Sequence, residues 1–147
     1  MRLVSFTLGF ILLTLIFLQS SLASIGQVSL YEGNAAIDRK DGDKGVTVEK
    51  DLDVFSYDTV KTGKGKVGIE FIDQTRVDVT EHSKLVIDEF VYDPNTKKGK
   101  LSLKAKLGTV RYASGQIAKN SKQNVLITTP TATIGVRGTD FTMTIDE

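Results

Sequence analysis

Apolar residues fall on every second position through most of this chain. Val67, Ile69 and Phe71 alternate with Lys66, Gly68 and Glu70, and Leu101, Leu103, Ala105 and Leu107 alternate with Ser102, Lys104 and Lys106. A period of two belongs to a strand with one face buried and one face wet. Shorter β-type runs surround these two: Val28 with Leu30, residues 35–37, Val46 with Val48, residues 51–57, residues 59–62, Val77 with Val79, residues 85–92, Val110 with Tyr112, and Val125 with Ile127. Polar or glycine-rich stretches at 38–45, 63–65, 73–76 and 93–99 read as turns. The runs on either side of 73–76 predict a hairpin. Only residues 114–119 have helical spacing, enough for a single turn. Many short strands with closely spaced turns predict an all-β domain: a rolled sheet, a sandwich or a short β-helix. A parallel α/β design is excluded, because it needs crossover helices.

The C-terminal run breaks the rhythm. Ala132, Ile134 and Val136 point one way, whereas Phe141, Met143 and Ile145 follow the opposite parity. A strand exchanges its faces only through an extra residue or a tight turn, so Gly138 is expected to mark a bulge or corner. Arg137 stands between Gly135 and Gly138. Its fork-shaped guanidinium suits a carboxylate, with Asp140, Asp88 and Glu89 the candidates in that order. One reading makes Arg137 a clip at the sheet corner, supported by Pro130, Gly135, Gly138 and Asp140. The other makes it part of a recognition stripe with Thr128, Thr129, Thr131 and Thr133.

The first residues read differently. Arg2 precedes an uncharged, Leu-, Ile- and Phe-rich run from Leu3 to Leu18, and Ser21-Leu22-Ala23 supplies small residues where a signal peptidase cuts. This predicts a signal peptide at 1–23 and a mature β domain at 24–147, periplasmic or secreted. The uncharged run to Ile25 also has the length of an uncleaved membrane anchor, but Gln19, Ser20 and Ser21 interrupt it early. Removing 23 of 147 residues leaves 124, enough for one core. Of 19 basic and 18 acidic residues only Arg2 goes with the leader, so the mature charges balance. No long-range field then favours nucleic acid. There is no cysteine, so burial alone must hold the domain.

Catalytic chemistry is thinly supplied. His82 is the single histidine, set in a polar Thr80–Lys84 stretch that reads as an exposed turn. A His/Cys metal cage and a cysteine nucleophile are ruled out by composition. Asp38, Asp41, Asp43 and Glu49 fail the spacing of a calcium loop, because Lys40 occupies an alternate position. Asp88 and Glu89 are adjacent and on a regular strand would face opposite ways. The glycine- and lysine-rich residues 63–66 lack the strand–loop–helix frame of a phosphate cradle. No enzyme, metal or cofactor is expected.

Four stretches in order resemble the FecR-like domain family. They are Tyr57-Asp58-Thr59-Val60-Lys61-Thr62-Gly63, with tyrosine where glycine is usual; Val67 to Thr75, with Asp73-Gln74-Thr75 in place of D-G-S; Leu85 to Pro94; and Gly108 to Phe141, including Ser114-Gly115-Gln116-Ile117 and the Thr-Pro-Thr-Ala-Thr-Ile-Gly-Val-Arg-Gly-Thr run. Gln74 suits a two-residue primed turn poorly, so a wider loop is expected there. The resemblance implies an all-β, non-enzymatic periplasmic domain of the kind that relays receptor occupancy to a sigma factor. Only Met1 and Arg2 precede the apolar run, and that short lead leaves no segment for the sigma-factor step. The expected function is a protein- or glycan-binding module. The alternative is a structural component of a surface or secreted assembly that pairs through β-edges.

Overall fold

The computed structural model describes residues 23–146. The leader expected at 1–23 lies, apart from Ala23, outside the described residues. Ten strands and one helical turn follow one another: β1 (Gly26–Asp38), β2 (Val46–Thr47), β3 (Asp53–Val54), β4 (Thr59–Phe71), β5 (Arg76–Val79), β6 (Lys84–Asp93), β7 (Lys98–Ala113), α1 (Gln116–Asn120), β8 (Val125–Thr128), β9 (Thr133–Gly135) and β10 (Phe141–Ile145). The all-β expectation holds, and so does the single helical turn.

Two long strands, β4 and β7, organise the rest. The N-terminal end of β4 pairs with β6 and its C-terminal end with β5. β7 pairs with the same two strands, so β4–β5–β7–β6 closes into a small barrel. Outside it, β1 lies antiparallel along β4, β10 along the end of β7, and the β8–β9 hairpin beside the start of β7. The β7–β8 pair is parallel. The segment 114–124, with α1 in it, makes that crossover between β7 and β8.

The alternating residues meet inside. Val67, Ile69, Val77, Val79, Leu85, Ile87, Leu101, Leu103 and Ala105 are fully buried, and the rings of Phe71 and Phe90 stack at 5.3 Å. Burial of such side chains stabilises by about 1.5–3 kcal/mol each. The expected hairpin is β4–β5, with Val67 opposite Val79 and Ile69 opposite Val77. Its loop is the wider kind: Gln74 N–H donates to Phe71 C=O at 2.9 Å, and Gln74 adopts φ 71°.

Several expected boundaries move. Residues 63–65 do not turn; β4 runs through them, because Gly65 passes so close to β1 that a Cβ there would lie 2.5 Å from Glu32 C=O. The two runs at 28–37 form one strand bent by irregularities at Ser29 and Asn34. Residues 51–57 form a strand only at Asp53 and Val54, since Asp51 and Tyr57 have positive φ. Asp88 and Glu89 face the same way, because the register slips between Ile87 and Glu89. Their carboxylates sit 3.4 and 3.0 Å from Lys104 and Lys100 on one face of β7.

The C-terminal corner has the predicted change of parity. Val136 and Met143 are both buried, β9 pairs with β8 whereas β10 pairs with β7, and Gly138 between them has φ 87°. That backbone conformation costs a residue with a Cβ about 1–2 kcal/mol. Gly135 was expected to be structural as well. It has ordinary φ and open space at its Cβ position, so the corner does not require it.

Candidate functional site

The outer face of β1, β4, β5, β7 and β10 carries a groove of about 610 Å³. The register sets its central row: Leu30 beside Gly68, Gly68 beside Asp78, Asp78 beside Arg111, Arg111 beside Thr142. Gly68 leaves the space that the Asp78 carboxylate occupies, since a Cβ there would lie 2.9 Å from it. Glu70 and Arg76 form an exposed ion pair at 3.2 Å along one side. Arg111 is exposed and Asp78 half-buried, and neither has an ion-pair partner among the described residues. The strand partners of this row bury their alternate side chains in the core, so the polar groups stand on a rigid base.

One end of the groove is anchored by hydrogen bonds from buried groups. Asp73 is fully buried and accepts three: from Thr75 N–H at 3.1 Å, Thr75 Oγ1 at 2.7 Å and Ile117 N–H at 3.1 Å. Its backbone C=O accepts from Gln116 N–H at 2.8 Å. This carboxylate thus joins the β4–β5 loop to the first turn of α1, where it meets the positive end of the peptide dipoles. Gly115 fits between them; a Cβ would lie 2.3 Å from Thr75 N. Asp140 Oδ1 accepts from Ser114 N–H at 2.8 Å, tying the β9–β10 corner to the same segment. Tyr112 packs on Phe141 at 5.4 Å, and burial pushes its phenol above the ordinary value. The Ser114 and Thr75 hydroxyls lie close enough to oppose that shift, yet among the described residues none forms a hydrogen bond of ordinary geometry with the Tyr112 oxygen.

A second charged centre lies at the start of β4. Asp58 is 1% exposed and accepts from Arg39 and, at 2.9 Å, from Phe55 N–H. Arg39 also donates to Asp53 C=O at 3.0 Å and lies 4.9 Å from the Phe55 ring centroid. Burial pushes the Asp58 carboxyl above its usual range, and the Phe55 and Arg39 contacts offset only part of this. The preceding Tyr57 holds φ 70° and exposes its ring to Lys40 at 4.4 Å.

The residues singled out from sequence are scattered relative to the groove. Thr129, Pro130 and Thr131 form the turn of the β8–β9 hairpin, where Thr129 N–H donates to Ala132 C=O at 2.8 Å and Thr129 Oγ1 accepts from Ala132 N–H at 3.1 Å. Thr133 lies opposite Thr128 in the same hairpin. Arg137 is exposed and makes no ion pair among the described residues. The three carboxylates it was expected to meet are engaged elsewhere: Asp140 with Ser114, Asp88 with Lys104, Glu89 with Lys100. The corner is therefore held by Gly138 and Asp140, and the guanidinium clip onto a buried carboxylate is the half-buried Arg39. Of the predicted residues only Asp140 lines the groove. His82 is exposed with φ 50°, its N–H donating to Gly63 C=O at 2.9 Å. The Arg111–Asp78 row was missed because its signal lies in pairing register, which sequence spacing does not reveal.

Fold and site together define a small all-β module whose polar surface is carried on closed, rigid strands. The sequence profile described as FecR protein matches residues 58–147, more than half of the chain, and the chain belongs to that family, which is related to signal sensing. No curated protein and no solved structure matches it significantly. The matched span begins at the buried Asp58 and contains Asp73, Gly115 and Asp140, so the family signal coincides with the hydrogen-bonded joints of the fold.

Proposed function

We propose that this chain is an exported, non-enzymatic FecR-family module that binds a protein partner through the groove on the outer sheet face. The observation that carries it is the adjacent Asp78 and Arg111 in this row, two opposite charges on paired strands that make no ion pair among the described residues. A partner with a complementary charge pair replaces water there and gains orientation as well as affinity. Mixed charge and the scarcity of exposed aromatic faces in the groove favour a protein over a glycan. Membership of a family related to signal sensing supports recognition over catalysis. The proposed place of action is the periplasm or the exterior, with no cofactor.

The test is a photoreactive residue placed at position 30, which lines the groove and leaves Asp78 and Arg111 intact, with position 97 on the β6–β7 tip as control, in cells that export the protein. A discrete adduct from 30, lost in an Asp78→Lys background, is the expected result. Adducts of equal yield from both positions, or none from 30, would sink the groove reading.

A further inference from the structure

The edges of this sheet are not alike. On its outer side β1 is interrupted by register shifts at Ser29 and Asn34, carries Glu32, and is covered at its ends by β2 and β3. β6 beyond Ile87 carries the irregularity at Asp88 and ends on Asp93. β9 has three residues. These are the devices by which sheets blunt their edges: shortness, charge and bulges. β10 has none of them. Its five residues Phe-Thr-Met-Thr-Ile pair with β7 without a single shift, contain no charge and no proline, and meet no strand on the other side among the described residues. Phe141 and Ile145 remain half-buried beside the buried Met143, so apolar surface is left uncovered along that edge.

We infer that β10 is a self-association edge, on which a second copy of this chain pairs antiparallel through its own β10. The strand is complementary to itself. A twofold axis through Met143 sets Thr142 opposite Thr144 and Phe141 opposite Ile145, with Met143 facing its counterpart. Threonine pairs and aromatic–β-branched pairs are favourable neighbours across strands. The same chemistry already operates one strand inward, where Thr144 Oγ1 meets Thr109 Oγ1 at 3.0 Å and Phe141 packs on Tyr112. Addition of the second strand satisfies the free backbone groups of the edge and covers Phe141 and Ile145. The same axis sets the exposed Asp140 opposite Asp146 of the second copy at each end of the paired strands, so the association is expected to strengthen as salt screens these like charges. The edge adjoins the groove, which Phe141 and Thr142 also line, but this inference rests on the open backbone edge of β10 and not on the Asp78–Arg111 pair, so either stands if the other fails.

Sedimentation velocity of the purified chain across micromolar to hundreds-of-micromolar concentration is the test. A reversible monomer–dimer equilibrium is expected for the wild type. Thr142→Lys with Thr144→Lys sets like charges against each other across the axis, and Thr142→Glu with Thr144→Glu does the same with the opposite sign. Both threonines are exposed, so the fold is kept. Each double variant is expected to dimerise at least about tenfold more weakly, and an equimolar mixture of the two to associate again. A wild type that stays monomeric, a lysine variant that dimerises as the wild type does, or a mixture that stays monomeric overturns the inference.

Discussion

Arg39 and Arg137 lie far apart in the chain and behave as opposites. Arg137 sits in a glycine-flanked run that suggests a guarded position, yet its side chain is in water. Arg39 sits in a stretch of charged turn residues that suggests solvent, yet it reaches a carboxylate that is 1% exposed. The difference lies in the partner, not in the arginine. Asp58 is buried because Val60 beside it and Val54 before it belong to the core, and a buried carboxylate must find donors. Asp140 needs no cation, because a backbone N–H already satisfies it. The guanidinium follows the most buried unsatisfied acceptor within its reach.

The contrast is broken most directly by removing both arginines in turn. Arg39→Ala leaves Asp58 with one backbone donor in a dry site and is expected to lower stability by about 3 kcal/mol. Arg137→Ala is expected to change it by less than about 0.5 kcal/mol, as for the exposed Lys97→Ala. Urea unfolding of the variants decides, and an Arg137→Ala loss comparable to that of Arg39→Ala would reverse the assignment of the clip. The pH dependence sharpens it. Asp58 already titrates above its ordinary 3.8, so protonation favours the folded state. The stability this group contributes is complete below 3.8 and falls as pH rises through its raised value. Without Arg39 the carboxyl moves further up, so the deficit of Arg39→Ala narrows on acidification towards that range.

Asp73 offers the next test, since it is as buried as Asp58 but uses no cation at all. Three donors from Thr75 and Ile117 replace the guanidinium. Asp73→Asn keeps the shape but weakens the acceptor and sets an amide N–H against one of those donors, with an expected cost of about 2 kcal/mol by thermal or urea unfolding. If this loss stays under about 0.5 kcal/mol, buried carboxylates here are not held by donor count.

How far the sequence reveals this molecule follows from the same physics. Val67–Phe71 and Leu101–Ala105 announce their strands because alternation depends on neighbours in the chain. The parity change before Phe141 announces its corner for the same reason. The glycines at 63–65 mislead, since a close backbone approach and a turn both favour glycine. The adjacent Asp88 and Glu89 mislead because a register slip turns both to one face. The groove is invisible beforehand: Leu30, Gly68, Asp78, Arg111 and Thr142 come from five strands, and only the register brings them into one row. The glycines around Arg137 stand out locally and suggest a clip there, whereas Arg39 and Asp58 are 19 residues apart and joined only by the fold.

Tyr57 gives the smallest and most discriminating contrast. It stands beside Asp58 where the resembling motif has glycine, and its φ of 70° is the conformation glycine adopts freely. Holding a tyrosine there costs about 1–2 kcal/mol. Its ring recovers about 0.5 kcal/mol from Lys40 at 4.4 Å, and a glycine adds about 0.5 kcal/mol of freedom to the unfolded chain. Tyr57→Gly is therefore expected to stabilise the domain by about 0.5 kcal/mol, read as a higher urea midpoint with an unchanged slope. A lower midpoint would mean that the tyrosine packs the Arg39–Asp58 joint and that the clip extends beyond its two charges. Should Lys40→Ala in the Tyr57→Gly background then cost nothing further, the lysine acts only through the ring, and the joint consists of Arg39, Asp58 and the Phe55 N–H.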